Sequence, residues 1–147
     1  MRKRIFSLFC LLLSVLTLVS AVGCKGLDPA PYNEKVRELL SFFVERDGDR
    51  AYSLLYPDSM DKQEFEGFCA DVYEYFPITE GYELDRITYD LTKSFTSSKA
   101  YFTAEYWVRF SGQAFHLDVA WVCDEGGDGF TRFNVLNEAD YNSTQNN

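Results

Sequence analysis

Hydrophobic residues recur every three or four positions between residues 33 and 76, which is the spacing of one face of an α-helix. The three predicted helices have their apolar positions at Val36, Leu39, Leu40, Phe43 and Val44 in the first, Ala51, Leu54 and Leu55 in the second, and Phe65, Phe68, Cys69, Val72, Tyr73 and Phe76 in the third. Asn33 is the expected N-cap of the first helix and Asp49 of the second, while Asp61 followed by Glu64 matches a capping box. Pro77 is expected to end the third helix, because proline cannot continue its hydrogen bonding.

Beyond Pro77 the hydrophobic period changes to two, which is typical of half-buried strands. The Ser111-Gly112 pair predicts a two-residue hairpin turn. Continued along four strands, that turn sets the pairs Phe110 with Gln113, Val108 with Phe115, Tyr106 with Leu117, Ala104 with Val119, Phe102 with Trp121, Leu91 with Phe102 and Trp121 with Phe133. Because a slip of one residue would turn every apolar side chain toward water, pattern and turn agree on this register. The sequence predicts an α+β fold, with three N-terminal helices packed on one face of a curved four-stranded antiparallel sheet.

Two segments carry a resemblance to a known superfamily. Residues 47–57, Asp-Gly-Asp-Arg-Ala-Tyr-Ser-Leu-Leu-Tyr-Pro, and a glycine-rich acidic turn before an aromatic strand at residues 124–133 resemble small lipoproteins of the nuclear transport factor 2-like superfamily. The resemblance covers residues 33–138 and implies the α+β cone fold of that superfamily. The long hairpin that many members insert between the second and third helices is missing, which implies a more open cone.

The N-terminus has the organisation of an export signal. Arg2, Lys3 and Arg4 precede an almost wholly apolar run over residues 5–22, and Ala21-Val22-Gly23-Cys24 follows. This tetrad resembles the lipobox of bacterial lipoproteins, although Ala21 stands where leucine is commonest. The resemblance implies a signal peptide over residues 1–23, a lipid on Cys24, a tether over residues 24–32 and residence on the extracytoplasmic side of a bacterial membrane. An ordinary signal peptide cut at the same bond and an uncleaved membrane span are the alternatives.

Charge narrows the range of partners. The net charge of the whole chain is −9, and removal of Arg2, Lys3 and Arg4 with the leader leaves 11 basic and 23 acidic residues, a net charge of −12. Such a surface repels phosphate backbones, so nucleic acid is not an expected partner. The polar residues 139–147 are expected to form a flexible tail.

Cys69 and Cys123 both fall on the predicted apolar faces. In an exported protein they form either a disulfide or two buried free thiols, and the sequence leaves both open.

Enzymes of the cone fold place an Asp or His base inside the cone. The predicted inner face offers Tyr89, Tyr106, Gln113 and Trp121, whereas the polar alternates Asp90, Glu105, His116 and Asp118 are predicted on the outer face. No catalytic residue is therefore predicted, and no cofactor. His116 is the single histidine, so the usual ligand set of a zinc site is not expected.

Two surfaces remain as candidates for binding. Tyr89, Phe102, Tyr106 and Trp121 either line a cone pocket for a small apolar ligand or form an ordinary core. Trp107, Glu105 and Asp118 form a candidate contact surface on the outer face, unless the C-terminal segment covers Trp107. The leading hypothesis is a non-enzymatic module that binds a small apolar ligand or an envelope protein. A small isomerase- or dehydratase-type enzyme and an envelope assembly factor are the alternatives.

Overall fold

The computed structural model describes residues 28–94 and 98–145, so the leader and Cys24 lie outside it. The described residues form an α+β fold with one four-stranded antiparallel sheet in the order β1-β2-β3-β4. In chain order the elements are α1 (Ala30–Glu45), α2 (Gly48–Tyr52), α3 (Lys62–Tyr75), β1 (Glu83–Lys93), β2 (Ala100–Phe110), β3 (Gln113–Asp124), β4 (Gly127–Asn137) and α4 (Glu138–Gln145). Among the described residues no helix combines the length and hydrophobicity needed to cross a bilayer.

The first helix begins earlier than predicted. Its first residue is Ala30, whose backbone N–H donates to the carboxylate of Asp28 at 2.9 Å. Proline is well accepted in a first helical turn, so Pro31 falls inside the helix and the predicted tether over residues 24–32 is shortened. The prediction of Asn33 as N-cap is therefore wrong: this residue lies one turn into α1, and its side chain accepts a hydrogen bond from β2 instead.

The caps of the next two helices were predicted with mixed success. Asp47, and not Asp49, caps α2 by accepting the backbone N–H of Arg50 at 3.0 Å. Arg46, between Glu45 and Asp47, adopts a left-handed conformation with φ 56°. This conformation ends α1 at Glu45, so that α2 can start after Asp47. Asp61 caps α3 as predicted and accepts the N–H of Glu64 at 2.8 Å.

The central hairpin has the predicted register. Ser111 and Gly112 both have positive φ, 49° and 77°, as a tight turn between right-twisted strands requires. The confirmed pairs are Phe110 with Gln113, Val108 with Phe115, Tyr106 with Leu117, Ala104 with Val119, Phe102 with Trp121, and Leu91 with Phe102.

Two β-bulges correct the prediction for the outer strands. In β1 the register shifts between Arg86 and Thr88, so Ile87 is an extra residue and Arg86, not Ile87, shares the inner face with Tyr106. In β4 a shift at Thr131 pairs Trp121 with Phe130, and the predicted pair of Trp121 with Phe133 is wrong. The cause is the tight turn between Asp124 and Gly127, which is shorter than the predicted glycine-rich loop.

The inner face of the sheet and the helices bury one hydrophobic cluster. Its members from the helices are Val36, Leu39, Leu40, Phe43, Ala51, Phe65, Cys69 and Val72, joined by Leu54 just after α2, and its largest strand members are Phe102, Tyr106, Phe110, Phe115, Trp121 and Phe130. These helical residues were predicted on the apolar faces, so the helices cover the predicted side of the sheet.

The segment after α2 lies against the edge of β4. Phe130 donates its N–H to the carbonyl of Leu54 at 2.9 Å and accepts the N–H of Tyr56 at 2.8 Å. This close approach requires glycine next to it: a Cβ on Gly129 would lie 2.3 Å from the backbone nitrogen of Tyr56. The outer edge of β4 is thereby partly covered by this segment. Among the described residues, the outer edge of β1 has no partner strand, since β1 pairs with β2 alone.

The C-terminal residues fold where the sequence predicted a flexible tail. Helix α4 follows β4 directly, and the side-chain oxygen of Asn137, the residue just before it, accepts the N–H of Asp140 at 2.8 Å. Tyr141 packs from this helix onto the outer face of the sheet. The polar sequence gave no periodicity that would reveal this contact.

Candidate functional site

Three of the four predicted pocket residues are packed in the core. Phe102 is 0 % exposed, Tyr106 1 % and Trp121 4 %. The ring of Tyr32 stacks on Phe102 at 4.8 Å between centroids, and Phe130 meets Trp121 edge-to-face at 4.6 Å. These contacts fill the space that a cone ligand would need, so this part of the inner face is core.

Tyr106 is the polar member of this core. Its hydroxyl donates to the Oδ1 atom of Asn33 at 2.6 Å, which satisfies a group buried beneath α1. Burial raises the pKa of Tyr106 to about 12, so the phenol stays protonated over the physiological range.

The fourth predicted pocket residue, Tyr89, is 44 % exposed and therefore does not line a closed pocket. It does face the same side as Ala104, as predicted, but β1 is the edge strand and its residues 85–90 are all exposed, whereas Leu84 and Leu91 near its ends pack against the core. The guanidinium of Arg86 lies 4.4 Å from the centre of the Tyr89 ring. The alternation of apolar and polar residues did not predict Arg86 on the inner face. A β-bulge in one strand leaves no mark on the sequence pattern of the neighbouring strands.

A small apolar void of about 20 Å³ lies between the helices and the sheet, lined by Leu40, Phe43, Val72, Phe76, Ile78, Val108, Phe115, Leu117 and Val135. That volume holds about one water molecule. Two larger clefts open on the helical side, one of about 290 Å³ between α2 and α3 and one of about 330 Å³ beside Pro77 and Arg46.

Cys69 forms part of the wall of the cleft between α2 and α3. Its thiol is buried, and desolvation raises its pKa to about 11, which keeps it a weak nucleophile. Tyr73 lies beside it, and desolvation raises the pKa of that phenol to about 12. Lys62 and Asp49 form an ion pair of 2.8 Å across the same cleft.

In this structure Cys69 and Cys123 are both free thiols, and the disulfide that the sequence left open is not formed. Cys123 is exposed, because it pairs with Ala100 at the very end of the sheet, beyond the cover of the helices. Cys69 instead packs inward from α3, towards Gly48 and Tyr73.

The outer face carries an aromatic cluster that consists of Trp107, His116 and Tyr141. His116 is buried on this face, at 5 % exposure. The ring of Tyr141 stacks on His116 at 4.0 Å and lies 5.1 Å from Trp107, while Trp107 and His116 meet edge-to-face at 5.7 Å. Trp107 is therefore covered by the C-terminal segment, which was one of the two outcomes considered for it.

Glu105 and Asp118 on this face each lie beside a basic side chain. Glu105 and Asp118 lie opposite each other, as predicted. The Nε2 atom of His116 is 3.0 Å from a carboxylate oxygen of Glu105, and Arg132 donates to Asp118 at 2.8 Å. The positive charge of Arg132 beside Asp118 offsets part of the repulsion between the two carboxylates. Sequence reasoning had not assigned this role to Arg132 or foreseen the docking of Tyr141.

A second polar cluster lies at the opposite end of the sheet around Asp124. Its Oδ1 atom accepts the hydroxyl of Tyr56 and the N–H of Gly126, both at 2.8 Å, and Lys99 lies 3.1 Å from its other oxygen. The hydrogen bond from Tyr56, followed by those from Gly126 and Lys99, lowers the pKa of Asp124. This cluster fastens the β3–β4 turn to the segment after α2.

Within residues 28–94 and 98–145, no three His, Cys, Asp or Glu side chains are grouped so as to hold a metal ion. Comparison of the chain with protein-family models finds no match, and comparison with curated protein sequences finds none either.

Proposed function

We propose that this protein is an exported lipoprotein, held at the extracytoplasmic side of a bacterial membrane by lipid on Cys24. The observation that carries the proposal is the order of segments at the N-terminus: a basic head, an apolar run and Ala21-Val22-Gly23-Cys24, followed within a few residues by a folded domain that starts at α1. At about 0.8 kcal/mol per buried methylene group, two or more acyl chains hold a protein stably in a bilayer.

The domain is proposed to be an open member of the nuclear transport factor 2-like superfamily. Support comes from the order of its elements, helices first and then an antiparallel meander whose inner face they cover. The helices leave the middle of β1 exposed, which fits the absence of the hairpin that many members insert between the second and third helices. A crystal structure that showed a flat sheet with the helices on the outer face would contradict this assignment.

The domain is proposed to bind another protein and not to catalyse a reaction. In the described chain the core contains Tyr106 but no carboxylate and no histidine, and His116 is buried on the opposite face beside Glu105. A base for cone-fold chemistry would need to lie within the apolar interior, where its pKa is shifted.

A protein partner fits better than a small apolar ligand in the cone. Organic ligands usually occupy pockets of roughly 300–1,000 Å³, whereas the apolar void beneath α1 is about 20 Å³. In contrast, β1 exposes Ile87 and Tyr89, with Arg86 against the Tyr89 ring. Tyrosine and arginine are enriched where proteins meet, and an unpaired strand edge can accept an extended segment.

Mass spectrometry of the full-length protein, expressed in a bacterium and purified in detergent, tests these statements together. The expected N-terminal peptide starts at Cys24 and carries the mass of a diacylglyceryl group, and the matched Cys24→Ser variant lacks it and leaves the membrane fraction. The native and denatured masses are expected to agree, because no small ligand is retained. An unmodified N-terminus at Met1 would refute the anchor, and a ligand lost on denaturation would revive the cone-ligand hypothesis.

A further inference from the structure

The distance from the proposed anchor to the domain is short. Four peptide units join Cys24 to Asp28, the first residue that the structure describes. Since a chain spans at most about 3.6 Å per residue, Asp28 lies within about 14 Å of the lipid-bearing residue. The start of α1 is thereby kept close to the bilayer surface.

The path of α1 shows which end of the domain this is. Tyr32, in its first turn, stacks on Phe102 near the beginning of β2. Phe43, near its last turn, lines the same void as Val108 and Phe115, next to the β2–β3 turn. Helix α1 therefore runs along the sheet from the end with Ala100 and Cys123 to the end with Ser111, and the 11 residues of β2 separate the two ends by about 36 Å.

The sheet end beside the start of α1 has the side chains that favour a lipid headgroup layer. Tyr101 is 44 % exposed, and the side chain of Lys99 is 45 % exposed. Tyrosine and lysine are the residues with which proteins typically enter this layer, because each combines an apolar stem or ring with a polar tip. The neighbouring carboxylate of Asp124 is already paired with Lys99 and bonded to Tyr56.

Three more acids lie at this end of the sheet, namely Asp28, Glu125 and Asp128, and all three are exposed. They would be repelled by a strongly anionic surface. Zwitterionic headgroups, which have no net charge, are therefore the better match. The short chain after Cys24 holds this end of the domain close to them.

We infer that the sheet end formed by Lys99, Tyr101 and the β3–β4 turn faces the bilayer, with Tyr101 and Lys99 against the headgroups. The inference rests on the proposed anchor at Cys24. It places the β2–β3 turn and the Trp107–His116–Tyr141 cluster on the side turned away from the membrane.

The native thiols supply the probe. Cys123 is exposed at the proposed membrane end, whereas Cys69 is buried and its raised pKa slows its alkylation. The full lipidated chain is labelled at Cys123 with nitrobenzoxadiazole and incorporated into phosphatidylethanolamine–phosphatidylcholine vesicles that contain lipid with a nitroxide on the headgroup. The matched control carries the label at the far end, in a Cys123→Ser, Glu80→Cys chain, because Glu80 is exposed beside Thr79, which contacts Ser111.

Quenching by the nitroxide is expected to be several-fold stronger for the label at Cys123 than for the label at position 80. A Tyr101→Ser substitution is expected to reduce this ratio while the chain still floats with the vesicles. A chain that floats but shows equal quenching at the two positions, or stronger quenching at position 80, overturns the orientation alone. A chain that does not float with the vesicles overturns both the anchor and the orientation.

Discussion

Tyr106 and Asn33 join the sheet to the first helix by a hydrogen bond of 2.6 Å beneath the surface of the domain. Removal of one partner leaves the other without its bond in a desolvated site. We expect Tyr106→Phe to lower the free energy of unfolding by about 1–2 kcal/mol, and Asn33→Ala to do the same to a similar degree. Urea denaturation followed by circular dichroism measures both.

The double variant separates this bond from general packing effects. If the two residues act through each other, the loss in the Tyr106→Phe, Asn33→Ala chain is smaller than the sum of the single losses. Tyr101→Phe is the matched control, since Tyr101 is 44 % exposed and its change is expected within about 0.5 kcal/mol. Additive losses would show that the bond contributes nothing of its own.

Gly129 and Gly67 are expected to respond in opposite directions to the same substitution. An alanine Cβ at position 129 would lie 2.3 Å from the nitrogen of Tyr56 and 2.6 Å from the carbonyl oxygen of Leu55, so the segment after α2 must move away from β4. We expect Gly129→Ala to destabilise the domain by about 3 kcal/mol. Gly67 lies in the exposed part of α3 with no atom near its Cβ direction, and Gly67→Ala is expected to stabilise it by about 1 kcal/mol. Equal effects at the two positions in thermal denaturation would contradict the close approach at β4.

Tyr141 covers Trp107, and its removal is expected to uncover that indole. Tyr141→Ala loses two ring contacts, worth about 1 kcal/mol in stability. Tryptophan emission is expected to shift to the red and to become more accessible to iodide, while Trp121 stays buried at 4 % exposure and supplies a constant background. Gln145→Ala, on the same helix but exposed, is the control and should leave the spectrum unchanged. An unchanged spectrum in Tyr141→Ala would mean that α4 does not dock in solution.

Thiol reactivity is expected to distinguish the buried Cys69 from the exposed Cys123. Alkylation of the native, unreduced protein near pH 8 is expected to modify Cys123 quickly and Cys69 only slowly, because Cys69 is buried and its pKa is raised to about 11. After denaturation without a reductant both peptides should carry the label. A denatured sample in which neither peptide reacts until a reductant is added would show that the two thiols are bridged.

Acid is expected to weaken the cluster around Asp124. Its pKa is lowered in the folded protein, chiefly by the hydroxyl of Tyr56, so its contribution is present above the unfolded value of about 3.9 and is lost as the pH falls through the folded value. The difference in melting temperature between the parent and Asp124→Asn should be constant near neutrality and should shrink below about pH 4. Tyr56→Phe removes the largest cause and is expected to shrink the same difference. A difference in melting temperature that stays constant down to about pH 2 would contradict the lowered pKa of Asp124.

The part of the fold that the sequence predicted is the part where two independent signals agree. The Ser111-Gly112 turn and the alternation on both sides of it specify one register for β2 and β3, and that register is confirmed. The bulges at Ile87 and Thr131 were not predicted, because the apolar pattern of these strands fits a regular strand as well. An edge strand tolerates one extra residue at little cost in stability.

The candidate site was predicted less well for a related reason. Burial of Phe102, Tyr106 and Trp121 follows from alternation, but exposure of Tyr89 depends on how far the helices reach across the sheet. Likewise, the contact between Tyr141 and His116 joins residues far apart in the chain, and the polar helix that makes it has no buried residue of its own. Such contacts depend on where the polar elements dock, which the periodicity of the sequence does not encode.

The irregular edge of β1 affects how two copies of the chain can meet. Proteins that share a membrane meet one another repeatedly, and a long straight edge would let strands join end over end into fibres. At β1 the extra residue Ile87 interrupts the ladder in the middle of the strand, and the charged side chains of Arg86 and Asp90 stand on either side of it. A neighbouring copy therefore finds no continuous row of donors and acceptors to extend, which disfavours edge-to-edge pairing of β1 between copies.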